Sequence, residues 1–99
     1  MSSGTSSLGR SLGNSISALL KTYGIEKKVK EYQVIVEWPE IVGKKISKAS
    51  KAEKVVDEIL FIKVKNSAWR TELLFMKNQI LKKIDEKVGV GIIKDIRFI

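Results

Sequence analysis

The sequence contains no cysteine and no histidine. Disulfides, the usual zinc sites, thiol nucleophiles and every catalytic arrangement built on imidazole are thereby excluded. No apolar run approaches the roughly 20 residues needed to span a bilayer. The opening Met1 to Ser7 has neither a basic n-region nor an apolar h-region after it, so a soluble, cytoplasmic chain with no membrane partner is expected. Phosphate-cradling signatures of the GxxxxGK[ST] and GxGxxG kinds are absent, and Gly89-Val-Gly91 sits at an expected helix C-terminus, the wrong polarity for an anion. The adjacent carboxylates Asp57–Glu58 and Asp85–Glu86 do not face one another and fall at turns or helix ends, where solvated surface is the ordinary role. No glycine turn suited to an oxyanion accompanies any Ser–Lys pair. The expectation is a non-enzyme with no metal or cofactor.

What is present points to binding. The 99 residues are 43% hydrophobic, enough for one small domain with a modest core. Lysine and arginine number 19 against 11 acids, a formal charge of +8 that directs suspicion to a polyanionic partner. Arginine, the usual bidentate reader of bases, occurs only as Arg10, Arg70 and Arg97, so binding with little sequence preference is expected.

Along the chain, residues 1–13 are rich in Ser and Gly with only Leu8 and Leu12 as apolar anchors, and read as a mobile tail; residues 14–99 read as a single domain. Asn14 as N-cap, Ile16, Leu19, Leu20 and Tyr23 at helical spacing, and Gly24 as terminator predict a short first helix. Ile25, Val29, Tyr32 and Val36 predict a second helix to about Glu37, packed through that stripe; Val34 lies opposite it. Trp38-Pro39 predicts a bend, and Pro39 to about Ala49 a third helix, with Val42, Ile46 and Ala49 packing and Lys44, Lys48 and Lys51 outward. Gly43 inside it marks a close backbone approach or an irregular turn.

The pattern then becomes β. Glu53–Val56 and Ile59–Lys65 predict a hairpin turning at Asp57–Glu58, with Leu60, Ile62 and Val64 on the buried face and Phe61, Lys63 and Lys65 on the wet one. Asn66–Ser67 predicts a cap for one long helix carrying Trp69, Leu73, Met76, Ile80 and Ile84, widened by Leu81 and Val88. Gly89 and Gly91 end it, and Ile92–Ile99 predicts a last strand, parallel to the second through a right-handed crossover. The fold class is thus α/β of the α+β kind, with a small three-stranded mixed sheet.

Two candidate sites emerge. Lys44, Lys45, Lys48, Lys51 and Lys54, with Glu53 as the one acid among them, concentrate half the net charge in about a tenth of the chain, as a phosphate-contacting patch requires; a merely solubilising face has the same composition. Phe75, with Gln79 and Lys82 at i+4 and i+7, projects away from the long stripe and marks either a partner-binding surface or a contact beneath the N-terminal helix. Trp69 belongs with the core stripe rather than with a base-stacking platform.

The run VIVEWPEIVGKKISKAS, a hairpin, ILFIKVKNSAWRTELLFMKNQILKKIDEKVG and a closing IIKDIRFI resemble the DciA-type bacterial proteins over about residues 12–99. The most specific parts are W-x-x-[IV]-V-G at Trp38, Ile41, Val42 and Gly43, and L-x-[IV]-x-V-x-[NS]-S-x-W-x-x-E-L from Leu60 to Leu73. The resemblance implies a KH-like domain that interacts with the bacterial replicative helicase, helps place it on DNA and has DNA affinity of its own. It also singles out Glu72, beside the start of the long helix. Longer members carry an extension that contributes to helicase binding. A KH domain that clamps nucleic acid does so with a GxxG loop between two helices; here one long helix is expected at that place. Two alternatives stand beside the DNA-replication reading: a protein-only adaptor, and an RNA-binding KH-like module.

Overall fold

The structure, a computed structural model, describes residues 12–99, with side chains from residue 24 onward. The expected tail over residues 1–13 and the side chains of Ile16, Leu19, Leu20 and Tyr23 lie outside that description, apart from residues 12 and 13, which are helical. The first element, α1, is a single helix from Leu12 to Val36. Gly24 therefore does not end a helix: it continues in helical conformation, a cost of about 1 kcal/mol that a helix of this length absorbs.

The face of α1 that packs is also not the expected one. Ile25 and Tyr32 are 64% and 66% exposed, with Val29 and Val36 similarly open, while Val34 is completely buried. The residues on either side of the bend decide the orientation. Val34, Trp38 and Ile41 succeed one another at i, i+4 and i+7, and the bend at Glu37 turns Trp38 and Ile41 into the core, carrying the Val34 side of α1 with them. Lys27, on that same side, donates to Glu58 at 2.5 Å.

Pro39 sits in the first turn of α2 (Trp38–Val42), where its missing N–H costs nothing. Gly43 then separates α2 from α3 (Lys44–Ala49), so the expected third helix is two short ones. With φ 90° and ψ 166°, Gly43 occupies a region that essentially only glycine adopts. Nothing lies within 4 Å of where its Cβ would be, so the constraint is conformational and not a close backbone approach. Val42, Ile46 and Ala49 are buried as expected.

Ala49 leads directly into β1 (Ser50–Val56), which pairs antiparallel with β2 (Ile59–Val64). The two-residue turn is Asp57–Glu58, both with positive φ (52° and 67°), the geometry whose twist matches a hairpin. Asn66 caps α4 (Ser67–Phe75) by accepting from the Trp69 N–H at 2.8 Å. The expected long helix breaks at Met76, where φ −95° and ψ 2° leave the helical region, and resumes as α5 (Lys77–Lys87). Leu73, Ile80 and Ile84 nonetheless remain the buried spine on both sides of the break, with Trp69, Met76 and Leu81 partly buried against it. β3 (Asp95–Phe98) runs parallel to β2, giving the sheet order β1-β2-β3. The result is the expected mixed α/β domain with a three-stranded mixed sheet. Among the described residues no helix is long and apolar enough to cross a membrane.

The core lies between one sheet face and the helices. Leu60, Ile62, Ile96 and Phe98 point into it from the sheet and meet Trp38, Ile41, Leu73, Ile80 and Ile84. One polar chain is buried with them: the Trp38 indole N–H donates to Ser50 Oγ at 3.0 Å, and that hydroxyl donates to the Ile46 carbonyl at 2.7 Å.

An acidic clamp holds the periphery. Glu58 accepts from Lys27 of α1 and pairs with Lys94 at 3.2 Å, and Lys77 of α5 pairs with Asp95 at 2.9 Å. The hydrogen bond from Lys27, then that from Lys94, holds the Glu58 carboxyl below its ordinary value of 4.5. For Asp95 the Lys77 hydrogen bond, followed by the Ile96 backbone N–H, acts in the same direction. A folded-state pKa lowered in this way adds stability above the unfolded value and loses it as pH falls through the folded value. Thermal melts should therefore hold from neutral pH down to the ordinary carboxylate range and decline below it. Glu58→Gln should flatten part of that decline, and an unchanged acid limb in the variant would contradict the clamp.

Candidate nucleic-acid interface

Because α3 passes straight into β1, the lysines of both elements share one region of the surface. Lys44, Lys45, Lys48, Lys51 and Lys54 all reach solvent, and none is in an ion pair among the described residues. The fold distributes four of them into three settings, and Lys44 begins α3. Lys48 and Lys51 line a shallow depression completed by Lys63 of β2 and by Lys65 just beyond its end, with Ser47, Ala49, Ser50 and Val64 between them. Lys45 lies beside Ala68, Trp69 and Glu72 at the start of α4. Lys54 reaches the ring of Phe61, its ammonium 5.2 Å from the centroid.

The position of Lys54 depends on a β-bulge. Ala52 pairs with Ile62 and Lys54 with Phe61, so Glu53 is an extra residue on β1. Without that insertion, strand alternation would turn Lys54 toward the core; with it, Lys51 and Lys54 emerge on the same open face.

Lys51 stands directly opposite Lys63 across the β1–β2 ladder. Like charges in that position destabilise a sheet pair by some tenths of a kcal/mol, and no acid compensates them among the described residues. An anion laid over the pair would remove the repulsion. Lys63 and Lys65 extend the five lysines marked in the sequence. Their signal was legible in the period-two alternation Phe61, Lys63, Lys65; what joined them to Lys51 was the hairpin register.

The second candidate surface is exposed but differently built. Phe75 is 86% exposed; the side chains of the N-terminal segment expected to cover it lie outside the described residues. It ends α4, whereas Gln79 and Lys82 lie on α5, both exposed. The break at Met76 interrupts the single helical face expected for these three. Leu74, 58% exposed, adjoins Phe75 instead and makes the corner between the helices apolar. Trp69 is partly buried against the core, as its place in the stripe required.

The family model described as "Dna[CI] antecedent, DciA" matches residues 11–98. A UPF0232 protein of Corynebacterium glutamicum is 38% identical over 87 residues, covering 88% of this chain and 49% of the relative. One from Rhodococcus jostii is 36% identical over 80 residues, covering 81% and 43%; one from Mycobacterium tuberculosis is 29% identical over 86 residues, covering 87% and 46%. The chain thus spans about half the length of the curated relatives it matches. With nearly all of its residues accounted for by the family model, the chain belongs to the DciA family.

Proposed function

We propose that this domain is a non-enzymatic DNA-replication accessory module that binds DNA with little sequence preference and engages the bacterial replicative helicase. The observation that carries the DNA half is the Lys51–Lys63 opposition, set among Lys44, Lys48, Lys54 and Lys65, none of these six being in an ion pair among the described residues. Such an arrangement is electrostatically unfavourable by itself and becomes favourable against phosphates, whose displaced counterions drive the association. Membership of the DciA family supports the replication context. Fluorescence anisotropy of labelled DNA titrated with the protein tests the reading: micromolar or tighter binding at low salt is expected, and no binding there would overturn it.

For the helicase half, exposed Phe75 with its neighbour Leu74 is the anchor, and Gln79 and Lys82 of α5 supply a polar rim. Phe75→Ala should weaken a complex with the replicative helicase by on the order of 10-fold or more, without loss of DNA affinity. Calorimetry or pull-down with purified helicase reads this, and an unchanged complex would remove Phe75 from the interface. The same exposed ring favours a second reading, a protein-only adaptor whose lysines serve solubility; in that case Phe75→Ala still weakens the complex while DNA binding is absent throughout. RNA binding has less support, since the interruption between α4 and α5 has Met76 where a clamp loop would need glycines.

A further inference from the structure

Among the described residues the helices pack on one face of the sheet, and Lys51, Lys54, Lys63 and Arg97 of the other face are exposed. The central feature of that other face is a row across all three strands: Lys54 of β1 pairs with Phe61 of β2, which pairs with Arg97 of β3. Phe61 is half-buried, and the two cations beside it are exposed. The next outward-facing position along β2 is Lys63, opposite Lys51, so the aromatic row is continuous with the lysine depression. A planar ring on a central strand, flanked by cations and uncovered by any helix among the described residues, has the composition that stacks an unpaired base while neighbouring ammonium and guanidinium groups hold its phosphates.

We infer that the open sheet face, through Phe61 with Lys54 and Arg97, is a stacking platform for single-stranded DNA. This rests on the DNA-binding reading above and adds the strand form to it. In the free protein the Lys54 ammonium covers the ring at 5.2 Å, a cation–π contact. An incoming base takes the ammonium's place over the ring and releases it to a phosphate, so one weak contact is exchanged for two stronger ones. A base inside a duplex has both faces occupied and cannot enter. The bulge at Glu53 is then the device that delivers Lys54 to the platform.

The test is anisotropy with an oligo-dT strand and with a duplex of equal length, using the whole chain and the variants Phe61→Leu, Phe61→Trp and Lys44→Glu/Lys48→Glu/Lys51→Glu. Leucine keeps a large apolar side chain at a half-buried position and removes only the π-face. Phe61→Leu should weaken oligo-dT binding about five- to tenfold, the lower part of what one stacked base contributes, and leave duplex binding within about twofold. Phe61→Trp should retain oligo-dT affinity, with indole fluorescence quenched on binding beyond the change seen in the parent protein. Oligo-dT affinity unchanged in Phe61→Leu, or lost equally for strand and duplex, overturns the platform; if the triple lysine variant is then still impaired, DNA binding itself stands. Failure of the unaltered protein to bind either form at low salt overturns both.

Discussion

Reversing Lys44, Lys48 and Lys51 together to glutamate should lower DNA affinity on the order of 100-fold at moderate salt. The three residues contribute charge from α3 and the start of β1, and each reaches solvent. None holds an ion pair among the described residues, so no salt bridge there depends on their charge. Surface substitutions of this kind ordinarily change stability by no more than about 0.5 kcal/mol. At Lys51 the effect should be favourable, because glutamate opposite Lys63 converts a repulsive cross-strand pair into an attractive one. The variant should therefore melt at or slightly above the parental temperature while losing DNA. Equal binding by parent and variant would remove α3 and β1 from the interface.

The largest effect on stability is expected at Trp38. Its side chain is 2% exposed and packs where α1, α2 and the sheet meet. Trp38→Ala should cost about 3–5 kcal/mol, combining lost transfer energy with the cavity left behind. That is a large share of the roughly 5–15 kcal/mol typical of a whole domain. Trp38→Phe separates the contributions. It retains most of the apolar volume but gives up the indole donor to Ser50 Oγ, a bond worth about 1 kcal/mol. Ser50 still donates to the Ile46 carbonyl, so no buried donor is orphaned. Chemical denaturation should place the phenylalanine variant within about 1–2 kcal/mol of the parent and the alanine variant far below. Comparable losses in both would mean that the hydrogen-bonded chain, and not the volume, anchors the bend.

The parts of this fold that could be read from sequence are those whose signal is local. Leu60, Ile62 and Val64 alternate because one sheet face is buried, and they are buried. Asn66 stands one residue before a helical stripe, and it caps. Leu73, Ile80 and Ile84 form a spine that survives the break at Met76. That break itself carries neither proline nor glycine, and nothing in the spacing announced it. Along α1 the spacing identified residues sharing a face but not which face packs. Ile25, Val29, Tyr32 and Val36 do share one, yet the helix is oriented by Val34 in series with Trp38 and Ile41 beyond the bend. A charged pair, Lys27 with Glu58, lies on the packed side, where a hydrophobicity pattern has no reason to look.

The candidate site shows the same division. The density of lysine from Lys44 to Lys54 was visible as composition. Its division into a depression, a contact beside α4 and a cation over Phe61 was not, because it depends on hairpin register and on one inserted residue at Glu53. Phe61 read as the wet side of a strand, which it is; only the pairing with Lys54 and Arg97 makes that side a candidate surface.

The central claim is that the lysines of α3, β1 and β2 exist to meet phosphates, and the most direct measurement is DNA affinity as a function of salt. The logarithm of the binding constant should fall linearly with the logarithm of salt concentration, with a slope corresponding to about three to five phosphate contacts. Affinity that is indifferent to salt, or no measurable binding at the lowest salt, would contradict it and leave the lysines as a solubilising face around a protein-binding domain.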